Sequence, residues 1–106
     1  STGLNRVHLR STTNKILLAA NAEGNDLSAK VYIINKAEDP TLYCTVTINA
    51  QTVGKLYAGD WMFIPWSQTD VAADIEIAAT NWTSSTGDIP VEYALFHEDT
   101  DLLTDA

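Results

Sequence analysis

The stretch from Leu56 to Trp66, Leu-Tyr-Ala-Gly-Asp-Trp-Met-Phe-Ile-Pro-Trp, allows few folds. Ala58-Gly59-Asp60 is a turn signal: glycine adopts positive φ at no steric cost, and the aspartate can hydrogen-bond the backbone ahead of it. The aromatic-rich segment after this turn reads as a strand. In an extended chain Trp61 and Phe63 share one face and Met62 and Ile64 the other, so both faces are apolar and neither is left to water without cost. Such a strand lies between two layers of its own domain, or between its domain and another subunit. Pro65 has no N–H for a sheet ladder, so the strand ends there or runs along an edge, with Trp66 marking the exit.

The rest of the chain follows a period of two. Leu4 to Arg10 alternates, Val7 and Leu9 to one side and Arg6, His8 and Arg10 to the other. Ser11 to Asn14 is a turn cluster, Lys15 to Ala20 a short apolar run, and Asn21 to Asn25 a break. Ser28 to Asn35, with Val31, Tyr32, Ile33 and Ile34, is β-branched and aromatic enough for a buried strand. Asp39-Pro40 closes a loop. Thr41 to Asn49 alternates most clearly, with Leu42, Cys44, Val46 and Ile48 inward, and a turn at Ala50-Gln51 leads into Val53 to Tyr57.

Ser67 to Val71 reads as a loop. Val71, Ala72, Ile75, Ala78 and Ala79 also match helical spacing, but the β-branched pair and the alternation of Asp74 and Glu76 favour a strand. Asn81 to Pro90 is a polar loop carrying Trp82, and Val91 to His97 is the last strand, with Val91, Tyr93 and Leu95 on one face. About seven or eight short strands between regularly spaced turns predict an all-β protein, an antiparallel β-sandwich of jelly-roll type. At 106 residues the chain is one domain, 1–106, small enough that self-association is an attractive further source of buried surface.

Charge is unevenly spread. Residues 1–36 carry five cations against two carboxylates, +3 net; from 37 onward one lysine faces twelve carboxylates, −11 net, for a total of −8. Residues 1–10 thus form a basic strand or arm and 98–106 an acidic tail. This polarity either steers the basic end of one copy toward the acidic end of another or toward an acidic partner, or merely marks two solvated faces. The acidic balance argues against nucleic acid as a partner. No run approaches a membrane span, and Ser1-Thr2-Gly3 lacks the build of a signal peptide, so the expectation is no membrane partner and folding in a reducing cytoplasm. The single cysteine, Cys44, falls on a buried face with Val46 and Ile48 and reads as inert core.

No chemistry announces itself. His8 and His97 lack metal-ligand spacing, and His97-Glu98-Asp99 would point alternately to opposite faces, so neither metal nor cofactor is expected. There is no nucleophile elbow, phosphate loop or dinucleotide fingerprint. Asp74 and Glu76 share a strand face about 7 Å apart, within the range of glycosidase carboxylates, but any i, i+2 acidic pair does the same. Asn81-Trp82-Thr83 fits a glycosylation acceptor by chance. A non-enzymatic binding protein is therefore expected, with Arg6, His8, Arg10, Trp61, Phe63, Trp66 and Trp82 as candidate interface residues. Each tryptophan either plugs an end of its own sandwich, the favoured reading for Trp61, or meets a partner, as an interface anchor or as a platform for sugar rings.

The segments Arg6-Val-His-Leu-Arg, Lys30-Val-Tyr-Ile-Ile-Asn, Thr45-Val-Thr-Ile, Ala58-Gly-Asp-Trp-Met-Phe-Ile-Pro and Val91-Glu-Tyr-Ala-Leu-Phe resemble the small all-β virion proteins encoded near the major capsid gene of tailed bacteriophages. The resemblance implies a capsid decoration (cement) protein synthesised in the host cytoplasm and placed on the virion surface. Its implied partners are the major capsid protein and itself, as a homo-oligomer with a trimer favoured. A part of the head–tail connection or a carbohydrate- or receptor-binding module of a tail or fibre are the alternatives.

Overall fold

The computed structural model describes residues 4–20, 28–67 and 72–98. Eight strands follow one another with no helix among the described residues: β1 (Leu4–Leu9), β2 (Lys15–Leu18), β3 (Ser28–Asn35), β4 (Tyr43–Ile48), β5 (Gln51–Tyr57), β6 (Trp61–Pro65), β7 (Ile75–Ala78) and β8 (Ile89–Glu98). They form two four-stranded antiparallel sheets, β1-β8-β3-β6 and β2-β7-β4-β5. The ladders β4/β5, β3/β6, β2/β7 and β1/β8 are those of one long hairpin rolled around a common core. That is the jelly roll which the turn spacing predicts.

The core lies where the alternation puts it. Val31 and Ile33 of β3, Cys44 and Val46 of β4, Ile75 and Ile77 of β7 and Ile89 and Val91 of β8 are at most 1% exposed, each isoleucine contributing about 1.5–3 kcal/mol by burial. Met62 and Ile64 pack against this cluster from β6. Pro65 satisfies both expectations for it, since β6 is an edge strand and ends there. The alanine-rich segment is strand β7, with Ile75 and Ile77 inward and Glu76 opposite Thr47; Val71 and the loop at 68–71 lie outside the described residues.

Two boundaries differ from the sequence reading. β8 starts at Ile89, which is fully buried, so the polar loop stops short of Pro90; a lone apolar residue between Asp88 and a proline gives alternation nothing to work on. The β4–β5 turn is Asn49-Ala50 rather than Ala50-Gln51, with φ of 52° and 60°, and β5 begins at Gln51. Two consecutive left-handed residues are the mark of a type I′ turn, whose twist matches that of the flanking strands. Asparagine tolerates that region, whereas alanine occupies it at a cost of roughly 1–2 kcal/mol.

Asn35, at the end of β3, is wholly buried. Its Nδ2 donates to the carbonyls of Leu56 (2.9 Å) and Leu42 (3.3 Å), and its Oδ1 accepts from the N–H of Ala37 at 2.8 Å. Its main chain is also paired, N–H to Asp60 O at 3.0 Å and C=O from Gly59 N–H at 2.8 Å. One side chain thus ties β3 of the first sheet to β5 of the second and to the loop before β4. Gly59 (φ 87°) makes the β5–β6 turn, and the Asp60 carboxylate accepts the Tyr57 N–H at 3.0 Å.

Two outcomes are expected in urea unfolding. Ala50→Gly should raise stability by about 0.5–1 kcal/mol through relief of left-handed strain, net of the extra freedom glycine gives the unfolded chain. Asn35→Ala should lower it by about 2–4 kcal/mol, because Ala37 N–H and two carbonyls lose buried partners.

Candidate functional site

An antiparallel sheet with one wet face alternates apolar inward and polar outward. The β2-β7-β4-β5 sheet obeys over its middle, with Ile16 and Val53 as exposed exceptions on its two edge strands. Its outer face carries Thr45, hydrogen-bonded to Thr80 between hydroxyls at 2.6 Å, and Lys55, whose Nζ lies 5.2 Å from the Tyr43 ring centre. Tyr43 and Tyr57 pack with ring centres 4.8 Å apart and keep polar tips.

The β1-β8-β3-β6 sheet does not obey. Its registers place Leu4, Ala94, Tyr32 and Phe63 in one row across four strands, Glu92, Ile34 and Trp61 in the next, and Phe96, Lys30 and Pro65 on the other side. All of these alternate away from the core. Trp61 is 63% exposed, Leu4 61%, Phe63 48% and Phe96 41%. The rings gather rather than scatter: Phe63 and Phe96 meet edge to face with centres 5.9 Å apart, and Tyr32 and Trp61 lie at 6.3 Å. Four strands about 4.8 Å apart and five residues long give a sheet face of roughly 300 Å², on which Arg6, Glu92 and Lys30 share the rows with these apolar side chains.

The predicted interface residues fall into three groups. Trp61 and Phe63 are on this face, and Trp61 does not plug the sandwich. Trp66 does: it is 7% exposed, and its indole N–H donates to Ala73 O at 2.7 Å, which removes it as an interface residue or sugar platform. It shares the parity of Met62 and Ile64, so the alternation continued by one step past Pro65 would have found this. Trp82 is half-buried against the core, with its Nε1 buried and unpartnered among the described residues.

Arg6, His8 and Arg10 are exposed on or just beyond β1. Arg6 is paired with Glu92, its Nε 3.1 Å from the carboxylate, and Arg10 with Asp88 at 2.9 Å. The basic arm is therefore largely neutralised by β8 and the loop before it, which sequence charge counting could not show. Residues that the sequence reading passed over as site residues, Leu4, Tyr32, Ile34 and Phe96, complete the aromatic face. Their parity was legible; only strand order brings them together.

Elsewhere the polar groups are occupied with structure. Asp74 Oδ1 accepts the Ala20 N–H at 2.6 Å, while Glu76 stands opposite Thr47 on the outer face of its sheet. Asn81 accepts from Tyr43 N–H at 3.0 Å and donates to Thr41 O at 2.8 Å. An open notch of about 680 Å³ is bordered by Arg6, Lys36, Glu38, Asp39 and Asp88, charges of both signs. The Asp39 carboxyl is held below the usual carboxylate range by the Thr41 N–H and hydroxyl, a contribution present above that range and lost on acidification. Among the described residues no three His, Cys, Asp or Glu side chains come together as a metal site. Neither a known family model nor a curated protein matches the chain.

Burial pushes the Cys44 thiol up to about 12. At pH 8 the folded protein should leave a disulfide reagent such as DTNB unreacted, with one thiol titrating once denaturant is added. Stability should fall as pH rises from about 9 toward 12, because the unfolded chain loses this proton first.

Proposed function

We propose that this is a non-enzymatic viral structural protein, a decoration (cement) protein that binds the assembled shell of a tailed-phage head as an oligomer. The observation that carries the reading is the aromatic outer face of the β1-β8-β3-β6 sheet. A lone domain has no use for Trp61, Phe63, Phe96 and Leu4 in water, whereas a subunit contact buries them. A flat face of this size binds modestly by itself. On a shell with symmetric sites, modest contacts multiply, and a ligand that binds only the assembled state stabilises it by mass action.

In this reading the partners are other copies of the chain, a trimer being favoured, and the major capsid protein. Jelly rolls recur in capsid and lectin domains, which supports the reading at the level of architecture only. The sugar-binding alternative loses Trp66 as a platform and has Trp82 only half presented. A head–tail adaptor would use the same face and differ only in the part of the particle with which it copurifies.

The test is a double substitution, Trp61→Ser with Phe63→Ser. Both residues are exposed in the single chain, so the unfolding free energy at protein concentrations low enough to dissociate the parent should stay within about 0.5 kcal/mol of it. Light scattering should show loss of self-association, and co-sedimentation with expanded capsids should weaken by about thirtyfold or more. Unchanged association and unchanged co-sedimentation would overturn the proposal.

A further inference from the structure

The side of the sandwich where β1 and β2 lie at the edges of the two sheets is open. There a cavity of about 200 Å³ enters between the layers, walled by Val7, Leu9 and Ile77 and bordered by His8, Arg10 and Lys15. A closed apolar cavity of about 150 Å³ holds a benzene ring, so this one has room for a branched aliphatic side chain. No carboxylate lines it. Lys15 makes no ion pair among the described residues, and Arg10 makes only the exposed one with Asp88, an interaction worth little and readily exchanged. β1 also keeps the hydrogen-bonding edge turned away from β8 unpaired by any strand among the described residues, an invitation to an extended segment.

We propose that this cavity receives Leu102 or Leu103 from the acidic segment of a second copy of the chain. Glu98-Asp99-Thr100-Asp101-Leu102-Leu103-Thr104-Asp105 joins an apolar pair to four carboxylates, the complement of an apolar slot bordered by cations. The same chain does not reach. Leu9 stands opposite Ile89, so the cavity is at the start of β8 and Glu98 at its far end, about 30 Å away along the strand. Even the nearer wall, Val7, stands opposite Val91, about 23 Å from Glu98 along the strand, and the chain from Glu98 to Leu103 spans at most about 18 Å. A neighbouring copy places its segment there without that constraint, and the exchange would add a second attachment between subunits already in contact. The inference rests on the self-association proposed for the sheet face but uses a different surface.

The test uses the full chain carrying Leu102→Asp and Leu103→Asp, which leaves its own segment unable to compete. The probe is a fluorescein-labelled synthetic peptide of residues 98–106, followed by anisotropy. Saturable binding is expected, about tenfold or more weaker for a peptide with both leucines changed to aspartate and about fivefold weaker for protein carrying Lys15→Glu. Trp61→Ser with Phe63→Ser should leave peptide binding unchanged. Absence of saturable binding, or equal affinity for the aspartate peptide, overturns the exchange while leaving the sheet-face contact to stand or fall on its own experiment.

Discussion

The sandwich depends on a buried amide. Two sheets packed only through aliphatic side chains can slide, since Ile, Val and Leu contacts are non-directional. Asn35 fixes the offset. Its carboxamide is oriented by the local N–H of Ala37 and meets carbonyls from β5 and from the loop before β4, so the alignment of β3 over β5 must place both carbonyls against it. A misaligned pairing would leave these groups buried without partners, a penalty that hydrophobic contact does not compensate.

With the layers fixed, the inner faces close on each other and the outer faces inherit whatever the alternate positions supply. On the β2-β7-β4-β5 sheet these are mainly threonines, a glutamate and a tyrosine pair with Lys55 over Tyr43, the exposed Ile16 and Val53 standing apart on the edge strands. On the β1-β8-β3-β6 sheet they are Trp61, Phe63, Phe96, Ile34 and Leu4. The asymmetry separates a face suited to water from a face suited to protein, and it arises from residue choice at solvent-facing parity rather than from any difference in architecture. Arg6 and Arg10 share that sheet's rim yet answer to Glu92 and Asp88, so shape and apolarity, more than net charge, distinguish the surface.

Much of the architecture could be read from parity. Alternation located every strand within a residue or two and placed Leu42, Cys44, Val46, Ile75 and Ile77 inside. What it missed has physical reasons. Asn35 looks like a polar residue closing a strand, and nothing local reveals the two carbonyl partners supplied by other segments. Ile89 stands alone before a proline. Half of the aromatic face went unseen because Leu4, Tyr32 and Phe96 lie on three strands far apart in sequence, which become neighbours only through the strand order. Both faces of β6 are apolar, so nothing local says which of them turns inward and Trp61 reads as the plug; the indole at 66, with the parity of Met62 and Ile64, takes that place and Ala73 O gives its N–H a partner.

The rolled-hairpin pairing also orders events in time. The Asn49-Ala50 turn joins β4 to β5 directly, while Arg6 and Glu92, on the outermost pair, are 86 positions apart. Chain closure between such distant partners carries the largest entropic cost, and topologies dominated by them acquire native structure slowly. Closure cost thus rises from the β4–β5 hairpin at the middle of the chain toward the β1/β8 pair at its flanks. Because β8 brings Ala94 and Phe96 between Leu4 and Tyr32 and also carries the core residues Ile89 and Val91, the docking of one strand completes the sticky surface and closes the interior together.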